Sequence, residues 1–258
     1  MSTILFNDIV FGPIRSRRLG SSLGVNLLPR YGKWCSFDCI YCECGWNRDG
    51  KKDTSLPTKD EVYEALDRKL HQLKEEGIPV DTITFSGNGE PTMHPAFPDI
   101  ISFTLKLRDK LYPSAKVSVL TNATQLGRAE VRDALQKTDN PILKIDSPIE
   151  WMVDAINIPN ESYSLEKTIG NIKLFNHNFI LQTMFLKGVE NGVEIDCTNE
   201  EHVSKWRDLV RELAPREVMM YTIDRETPAK NLQKVTVEEM EAIAEPLKRE
   251  GFNIQIRG

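Results

Sequence analysis

The sequence lacks several features that would place it in a specialised protein class. It has no run of 18 apolar residues, so we expect no membrane-spanning helix. Its N-terminus lacks the basic segment, apolar core and small-residue cleavage site of a secretory signal, which makes a cytoplasmic location the default expectation. Fixed-length repeats and low-complexity stretches are also missing. No Gly-x-Gly-x-x-Gly motif follows the first predicted strand, which argues against a dinucleotide-binding domain.

The chain also lacks an excess of positive charge. Its formal net charge is −5, whereas a nucleic-acid-binding protein usually carries a basic footprint. Two local basic runs occur, at residues 15–18 and at Lys51-Lys52. Lys51-Lys52 is typical of a solvated surface. The run Arg15-Ser16-Arg17-Arg18 is compatible with contact to a carboxylate or phosphate and equally with a structural role.

What is present is the composition of an ordinary soluble globular protein. The 258 residues are 40% apolar and 28% charged, enough to bury a core without disulfides. We therefore predict a single domain over residues 1–258, with an N-terminal extension at 1–20 and β/α repeats over 21–258.

Short β-rich runs alternate with helical patterns along this region. The predicted strands are residues 21–28, 82–85, 116–121, 142–145, 179–186, 217–223 and 252–256. Capping boxes at Thr58–Glu61, Thr198–Glu201 and Thr236–Glu239 predict three helix starts, and further helices are predicted over 100–111, 128–137 and 165–175. Six β-then-α units predict an α/β fold, for which we expect a partial (β/α)6 TIM-like barrel, with an open doubly wound sheet as the alternative.

In both architectures the active site lies at the carboxyl ends of the strands. Polar and special residues gather at those ends: a cysteine cluster, residues 87–90, Asn122, Asp146, Lys187 and Arg225. The strand interiors stay apolar.

Three of the five cysteines, Cys35, Cys39 and Cys42, lie in one loop with the spacing C-x3-C-x2-C. In a reducing compartment such a cluster indicates metal binding or catalysis rather than disulfides. A structural zinc site usually has paired C-x2-C knuckles, which this chain lacks. Three thiolates on one short loop suit an iron–sulfur cubane with one iron left open. We expect Cys44 and Cys197 to be bystanders.

The cysteine spacing, with Tyr41 as an aromatic residue before the third cysteine, resembles the signature of the radical S-adenosylmethionine (radical SAM) superfamily. Asn88-Gly89-Glu90-Pro91 stands where that family has a Gly-Gly-Glu motif, with Asn88 in place of the first glycine. The text SRRLGSSLGVNLLP…CSFDCIYC…SGNGEPTMHP resembles a branch of small iron–sulfur oxidoreductases related to tRNA-wybutosine synthases.

This resemblance implies an enzyme and assigns roles to particular residues. Cys35, Cys39 and Cys42 would hold a [4Fe-4S] cluster whose open iron binds S-adenosylmethionine. One electron would cleave the sulfonium bond, and the resulting 5′-deoxyadenosyl radical would abstract hydrogen from a substrate. The cofactor-binding residues would be Gly87, Asn88, Gly89 and Glu90 at the methionine amino group, Tyr41 near the adenine, and Asn122, Asp146 and Gln182 at the ribose and carboxylate.

The resemblance leaves the substrate open among tRNA, a small molecule and a peptide. It implies a reducing partner such as flavodoxin or ferredoxin. The alternative function is an electron-transfer module that binds a cluster without cleaving S-adenosylmethionine. His94 and Arg225 are compatible with substrate contact or with a purely structural role, and Lys187 is typical of an exposed loop lysine.

Overall fold

A curled eight-stranded sheet forms the frame of the protein. The computed structural model describes residues 4–16, 19–50 and 53–258. Across the sheet lie β1 (Val10–Ser16), β2 (Gly20–Val25), β3 (Thr82–Phe85), β4 (Lys116–Thr121), β5 (Asn140–Lys144), β6 (Ile180–Met184), β9 (Glu217–Tyr221) and β11 (Ile254–Arg257). β1 is antiparallel to β2, and all other neighbours are parallel. The strand order follows the chain order, which confirms the partial barrel and excludes the doubly wound sheet.

Helices connect the parallel strands, as the alternating pattern predicts. They are α1 (Lys59–Glu75), α2 (Phe97–Leu111), α3 (Ala129–Gln136), α4 (Glu150–Asn157), α5 (Leu165–Lys173), α6 (Glu200–Leu213) and α7 (Val237–Arg249). α1 shows why they form: Thr58 and Glu61 make the predicted reciprocal cap. Its buried side chains Val62, Leu66, Leu70 and Leu73 recur at intervals of three or four residues, so they form one apolar face.

The two faces of the sheet bury different side chains, because successive residues of a strand point to opposite sides. Leu143 of β5 and Leu181 of β6 belong to the large apolar core that the helices share. Their neighbours Ile142 and Ile180 belong to a small second apolar cluster. Two residues further on, Lys144 and Gln182 are paired in register on that second face, at the carboxyl ends of their strands.

Several elements escaped the sequence patterns. β1 lies within residues 1–20, for which no strand was predicted; it is an edge strand with an irregularity between Phe11 and Ile14. α4 has no side-chain cap at Ile149, so no start signal marks it. The predicted strand 179–186 is in fact two strands, because the chain leaves the main sheet after Met184.

The segment after Met184 builds a second, three-stranded antiparallel sheet from β7 (Leu186–Glu190), β8 (Val193–Asp196) and β10 (Leu232–Lys234). Asn191 and Gly192, both with positive φ, form the turn between β7 and β8. Asn-Gly is the strongest short-range hairpin signal and could have predicted this pair.

One predicted helix cap is wrong. α6 is capped by Asn199, whose side chain accepts a hydrogen bond from the His202 N–H (2.8 Å), and not by Thr198. The Thr198 hydroxyl instead donates to Asp196 Oδ1 (2.6 Å), which removes it from competition for the helix start.

Two further expectations concern the surface of the molecule. In the described ranges, no helix is long and apolar enough to cross a membrane. Of the basic runs, Arg15 lies exposed on β1, whereas Arg17, Arg18, Lys51 and Lys52 lie outside the described residues. The prediction of anion contact by the arginine run therefore stays a prediction.

Candidate active site

The three clustered cysteines open onto one cavity of about 220 Å³ at the carboxyl ends of the parallel strands. The lining combines the cysteine loop, the loop after β3 and the ends of β4, β5, β6 and β9. Its members are Lys33, Cys35, Phe37, Cys39, Tyr41, Cys42, Ser86, Gly87, Gly89, Glu90, Leu120, Thr121, Asn122, Lys144, Gln182 and Tyr221. The fold thus brings most of the sequence-predicted site residues together; Asn88 and Asp146 are absent from this lining.

Backbone hydrogen bonds hold the cysteine loop on both sides. On one side Asp38 N–H donates to Asn157 O (2.9 Å) and Ile40 N–H to Ile156 O (3.0 Å), which pairs the loop with the end of α4. On the other side Trp34 exchanges backbone bonds with the loop after β3, since its N–H donates to Asn88 O (2.8 Å). The cysteine loop is therefore held by backbone hydrogen bonds to two different segments of the chain.

Gly89 makes this second contact possible. It lies beside Trp34 with a φ of +141°, and a Cβ there would overlap the Trp34 carbonyl oxygen. Asn88 is fully buried and its carboxamide points elsewhere. It donates to Phe6 O (2.9 Å) and Pro29 O (2.7 Å) and accepts from Phe6 N–H (2.8 Å). The side chain of Asn88 thus anchors the N-terminal segment rather than facing the cavity.

Glu90 joins the loop after β3 to the end of β4. Its Oε1 accepts from Thr92 N–H (3.1 Å), the Thr92 hydroxyl and the Thr121 hydroxyl (2.7 Å), and its Oε2 accepts from Asn122 N–H (2.7 Å). Burial raises the pKa of Glu90, and these four donors oppose that rise. The carboxyl group braces two cavity-lining segments.

Nitrogen hydrogen-bond donors point at the sulfurs of Cys35 and Cys39. Cys35 Sγ accepts from Phe37 N–H and from Asn122 Nδ2 (3.5 Å each). Cys39 Sγ accepts from Lys144 Nζ (3.5 Å) and Asn157 Nδ2 (3.4 Å). N–H donors favour the thiolate, which is the state in which cysteine ligates iron. At Cys35 burial outweighs them and raises the pKa of the thiol, while the Phe37 N–H opposes that rise.

Cys42 and Cys44 interact with each other. A hydrogen bond from Cys44 is the main cause that lowers the pKa of Cys42 to about 6, while burial opposes it. The Cys44 thiol also reaches the carbonyl oxygen of Gly87 (3.4 Å). Cys44, predicted to be a bystander, thus contacts both the cysteine cluster and the loop after β3.

Two lysines, the buried Lys33 and the half-buried Lys144, contribute positive charge to the cavity. Lys33 Nζ donates to Asp38 Oδ1 and to the carbonyl of Gly45 (3.0 Å each). Burial disfavours its charge, but Cys42, the other clustered thiols and Asp38 outweigh burial and raise the pKa of Lys33. Lys144 is the second cation, and the sequence patterns identified neither lysine as a site residue.

Asp146 is the acceptor at the centre of a buried network behind the cavity. Its Oδ2 accepts from the Tyr41 hydroxyl (2.5 Å), Asn157 Nδ2 (2.6 Å) and Lys144 Nζ (2.8 Å), and its Oδ1 from Met184 N–H (3.1 Å). Because these donors all belong to the chain, Asp146 orients Tyr41 and Lys144, which themselves line the cavity. A sequence signal that could have identified Lys144 is its position two residues before Asp146, at the last residue of β5.

The remaining candidates are engaged within the protein. Both ring nitrogens of His94 are bonded: Nδ1 accepts from Ala96 N–H (3.1 Å) and Nε2 donates to Pro57 O (2.8 Å), so His94 closes its loop. Arg225 forms an exposed ion pair with Glu43 of the cysteine loop (2.7 Å). Lys187 pairs with Glu239 (2.7 Å), and Cys197 is fully buried in the apolar core.

Within the described part of the chain, no three or more His, Cys, Asp or Glu side chains lie close enough to hold a single metal ion. In a cubane cluster each thiolate binds a different iron, so its ligands lie farther apart than those of one ion.

Residues 30–195 match the family model described as the radical SAM superfamily. The chain belongs to the radical SAM superfamily. A UPF0026 protein of Synechocystis is 32% identical over 231 residues, which cover 87% of this chain and 78% of the relative. The GTPase Obg of Brachyspira hyodysenteriae is 29% identical over 239 residues, which cover 90% of this chain but only 32% of that relative.

Solved structures of the radical SAM type share the fold. SuiB of Streptococcus suis, solved with bound S-adenosylmethionine, is 16% identical with a TM-score of 0.64 over 91% of this chain, which spans half of SuiB. The resemblance to wybutosine synthases has a looser structural counterpart in archaeal TYW1, at 13% identity and a TM-score of 0.52, covering 88% of this chain and 71% of TYW1. Identities this low show the fold alone.

Proposed function

We propose that this radical SAM protein binds a [4Fe-4S] cluster through Cys35, Cys39 and Cys42 and uses it to cleave S-adenosylmethionine reductively. The observation that carries the proposal is the single cavity lined by the three thiols together with Gly87, Gly89 and the strand-end polar side chains. When bound, the cluster and S-adenosylmethionine supply one-electron chemistry and a radical able to abstract hydrogen from a substrate.

The protein's own contribution is binding and orientation. Lys33 and Lys144 offset the negative charge of the thiolates, and Lys144 is also a cation available to the carboxylate of S-adenosylmethionine. The carbonyl groups of Gly87 and Gly89, which line the cavity, are the proposed acceptors for its amino group, and the hydrogen bonds of Glu90 hold that loop against the end of β4. Gln182 lines the same cavity and is a candidate contact for the ribose, and Tyr41 is a candidate contact for the adenine.

The decisive experiment is anaerobic reconstitution with iron and sulfide, followed by dithionite, S-adenosylmethionine and detection of 5′-deoxyadenosine. Wild type and Cys197→Ala should both hold the cluster and form the product, because Cys197 lies in the apolar core. Cys39→Ala should lose both. A fully loaded wild-type cluster that yields no 5′-deoxyadenosine would favour the alternative, an electron-transfer module.

For the substrate we propose tRNA, the class that the wybutosine resemblance names, although the net charge of −5 gives no general attraction to nucleic acid. Purification at modest salt followed by RNA analysis tests this. RNA absent at modest salt, together with product formation from a peptide or small-molecule pool, would contradict it. We propose flavodoxin or ferredoxin as the reductant in place of dithionite. Electron transfer from either protein is measured by the formation of 5′-deoxyadenosine.

A further inference from the structure

Asn157 connects the cysteine loop to the network around Asp146. It is the last residue of α4, is 1% exposed and does not line the cavity. Its Nδ2 lies 3.4 Å from Cys39 Sγ and 2.6 Å from Asp146 Oδ2. A side-chain amide nitrogen carries two hydrogens, so Asn157 satisfies both contacts at once. The Asp146 contact fixes the rotation of the amide and aims its second hydrogen at the sulfur.

Lys144 approaches the same sulfur from the cavity side. Its Nζ lies 3.5 Å from Cys39 Sγ and 2.8 Å from Asp146 Oδ2. One buried carboxylate therefore positions two donors, one of them charged, on a single thiol. Cys35 receives a backbone and an amide donor instead. Cys39 thus receives a charged donor in addition to a side-chain amide, whereas neither donor to Cys35 carries a charge.

The backbone supports this arrangement. Asp38 N–H and Ile40 N–H, which flank Cys39, donate to the carbonyls of Asn157 and Ile156. These backbone hydrogen bonds set the distance between α4 and the cysteine loop. They thereby keep the Asn157 side chain within hydrogen-bond distance of Cys39 Sγ. A helix that served only to support the loop would need the carbonyl contacts and not the amide.

We propose that Asn157 and Lys144, both held by Asp146, are positioning residues that raise the reduction potential of the cluster bound at Cys39. Reduction adds negative charge to the cluster and its sulfurs. Hydrogen bonds and a positive charge at a thiolate stabilise that reduced state more than the oxidised one. The inference depends on the proposed function only through the presence of the cluster, and not on cleavage of S-adenosylmethionine.

The test is an EPR-monitored dithionite titration of the reconstituted cluster without S-adenosylmethionine. Asn157→Ala should lower the one-electron reduction equilibrium about tenfold, a shift of about 59 mV to more negative potential. Lys144→Met should shift the potential in the same direction. Asn140→Ala is the matched control, because Asn140 lies at the opposite end of β5 and bonds Ser118 and Arg216; its potential should equal that of wild type.

The sign of the shift in reduction potential distinguishes an electrostatic effect of Asn157 on the cluster from a purely structural role. Loosened packing would admit water, which also stabilises the reduced cluster and would raise the potential. An unchanged or raised potential in Asn157→Ala would overturn the proposal. If Asn157→Ala does not retain its cluster, Lys144→Met decides by the same criterion. Loss of the cluster from both variants would also overturn the proposal, because the two side chains would then be needed for cluster binding rather than for setting its reduction potential. A wild type that binds no cluster would instead refute the proposed function.

Discussion

Glu90→Gln should destabilise the apo-protein, because the glutamine amide cannot reproduce the acceptor pattern of the carboxylate. Oε1 accepts from three donors on Thr92 and Thr121, whereas Oε2 accepts from Asn122 N–H alone. The favoured orientation therefore keeps the carbonyl at the Oε1 position. The amide NH₂ then faces the buried Asn122 N–H, so one hydrogen bond is replaced by a contact between two donors.

The magnitude follows from these contacts. A hydrogen bond to a charged acceptor contributes about 1.5–3 kcal/mol, and leaving its buried partner unsatisfied costs about 1–3 kcal/mol. Removing a buried charge offsets part of this loss, since burial raises the pKa of Glu90. We expect a net loss of about 2 kcal/mol, which for a chain of this size lowers the melting temperature by about 4–8 °C.

The assay is urea and thermal unfolding of apo-protein at neutral pH. Glu75→Gln is the control, because Glu75 is exposed on α1 and its substitution should change stability by less than about 0.5 kcal/mol. Indistinguishable unfolding of Glu90→Gln and Glu75→Gln would refute the role of Glu90 as a brace.

Two further predictions concern backbone geometry and pH. Gly89→Ala should abolish iron retention after reconstitution, because a Cβ would overlap the Trp34 carbonyl oxygen, whereas Gly127→Ala has open space and should retain iron; equal iron in both variants would contradict this. For Asp139, burial opposes ionisation, but hydrogen bonds from a backbone N–H and Arg108 outweigh it and hold its pKa below the usual value. Asp139 therefore stabilises the fold above its ordinary pKa of about 3.9, and this contribution is lost as pH falls through the lower folded-state value. Wild type should be more stable than Asp139→Asn at pH 7 and lose that advantage only in acid, as urea midpoints at several pH values would show; a pH-independent difference would contradict the assignment.

Elements with strong local signals could be predicted from the sequence. α1 has a complete capping box and a regular apolar face, and its ends agree with the structure to within a few residues. α4 begins at Ile149 without a capping side chain, and its position is decided by carbonyls that accept from the cysteine loop. The helix propensity of residues 150–157 contains no information about the cysteine loop, which is distant in sequence. The same holds for β10, whose partner β7 lies more than 40 residues earlier.

The sequence by itself placed the three thiols of Cys35, Cys39 and Cys42 in one short segment and Gly89-Glu90 shortly after the second predicted strand, because both features depend only on local order along the chain. Tertiary structure decided which polar groups face the cavity. Asn88 and Asp146 stand at strand ends, yet the carboxamide of one anchors the N-terminal segment and the carboxylate of the other holds Tyr41, Lys144 and Asn157. The direction of a buried side chain is set by the donors and acceptors that surround it, and most of these come from distant parts of the chain.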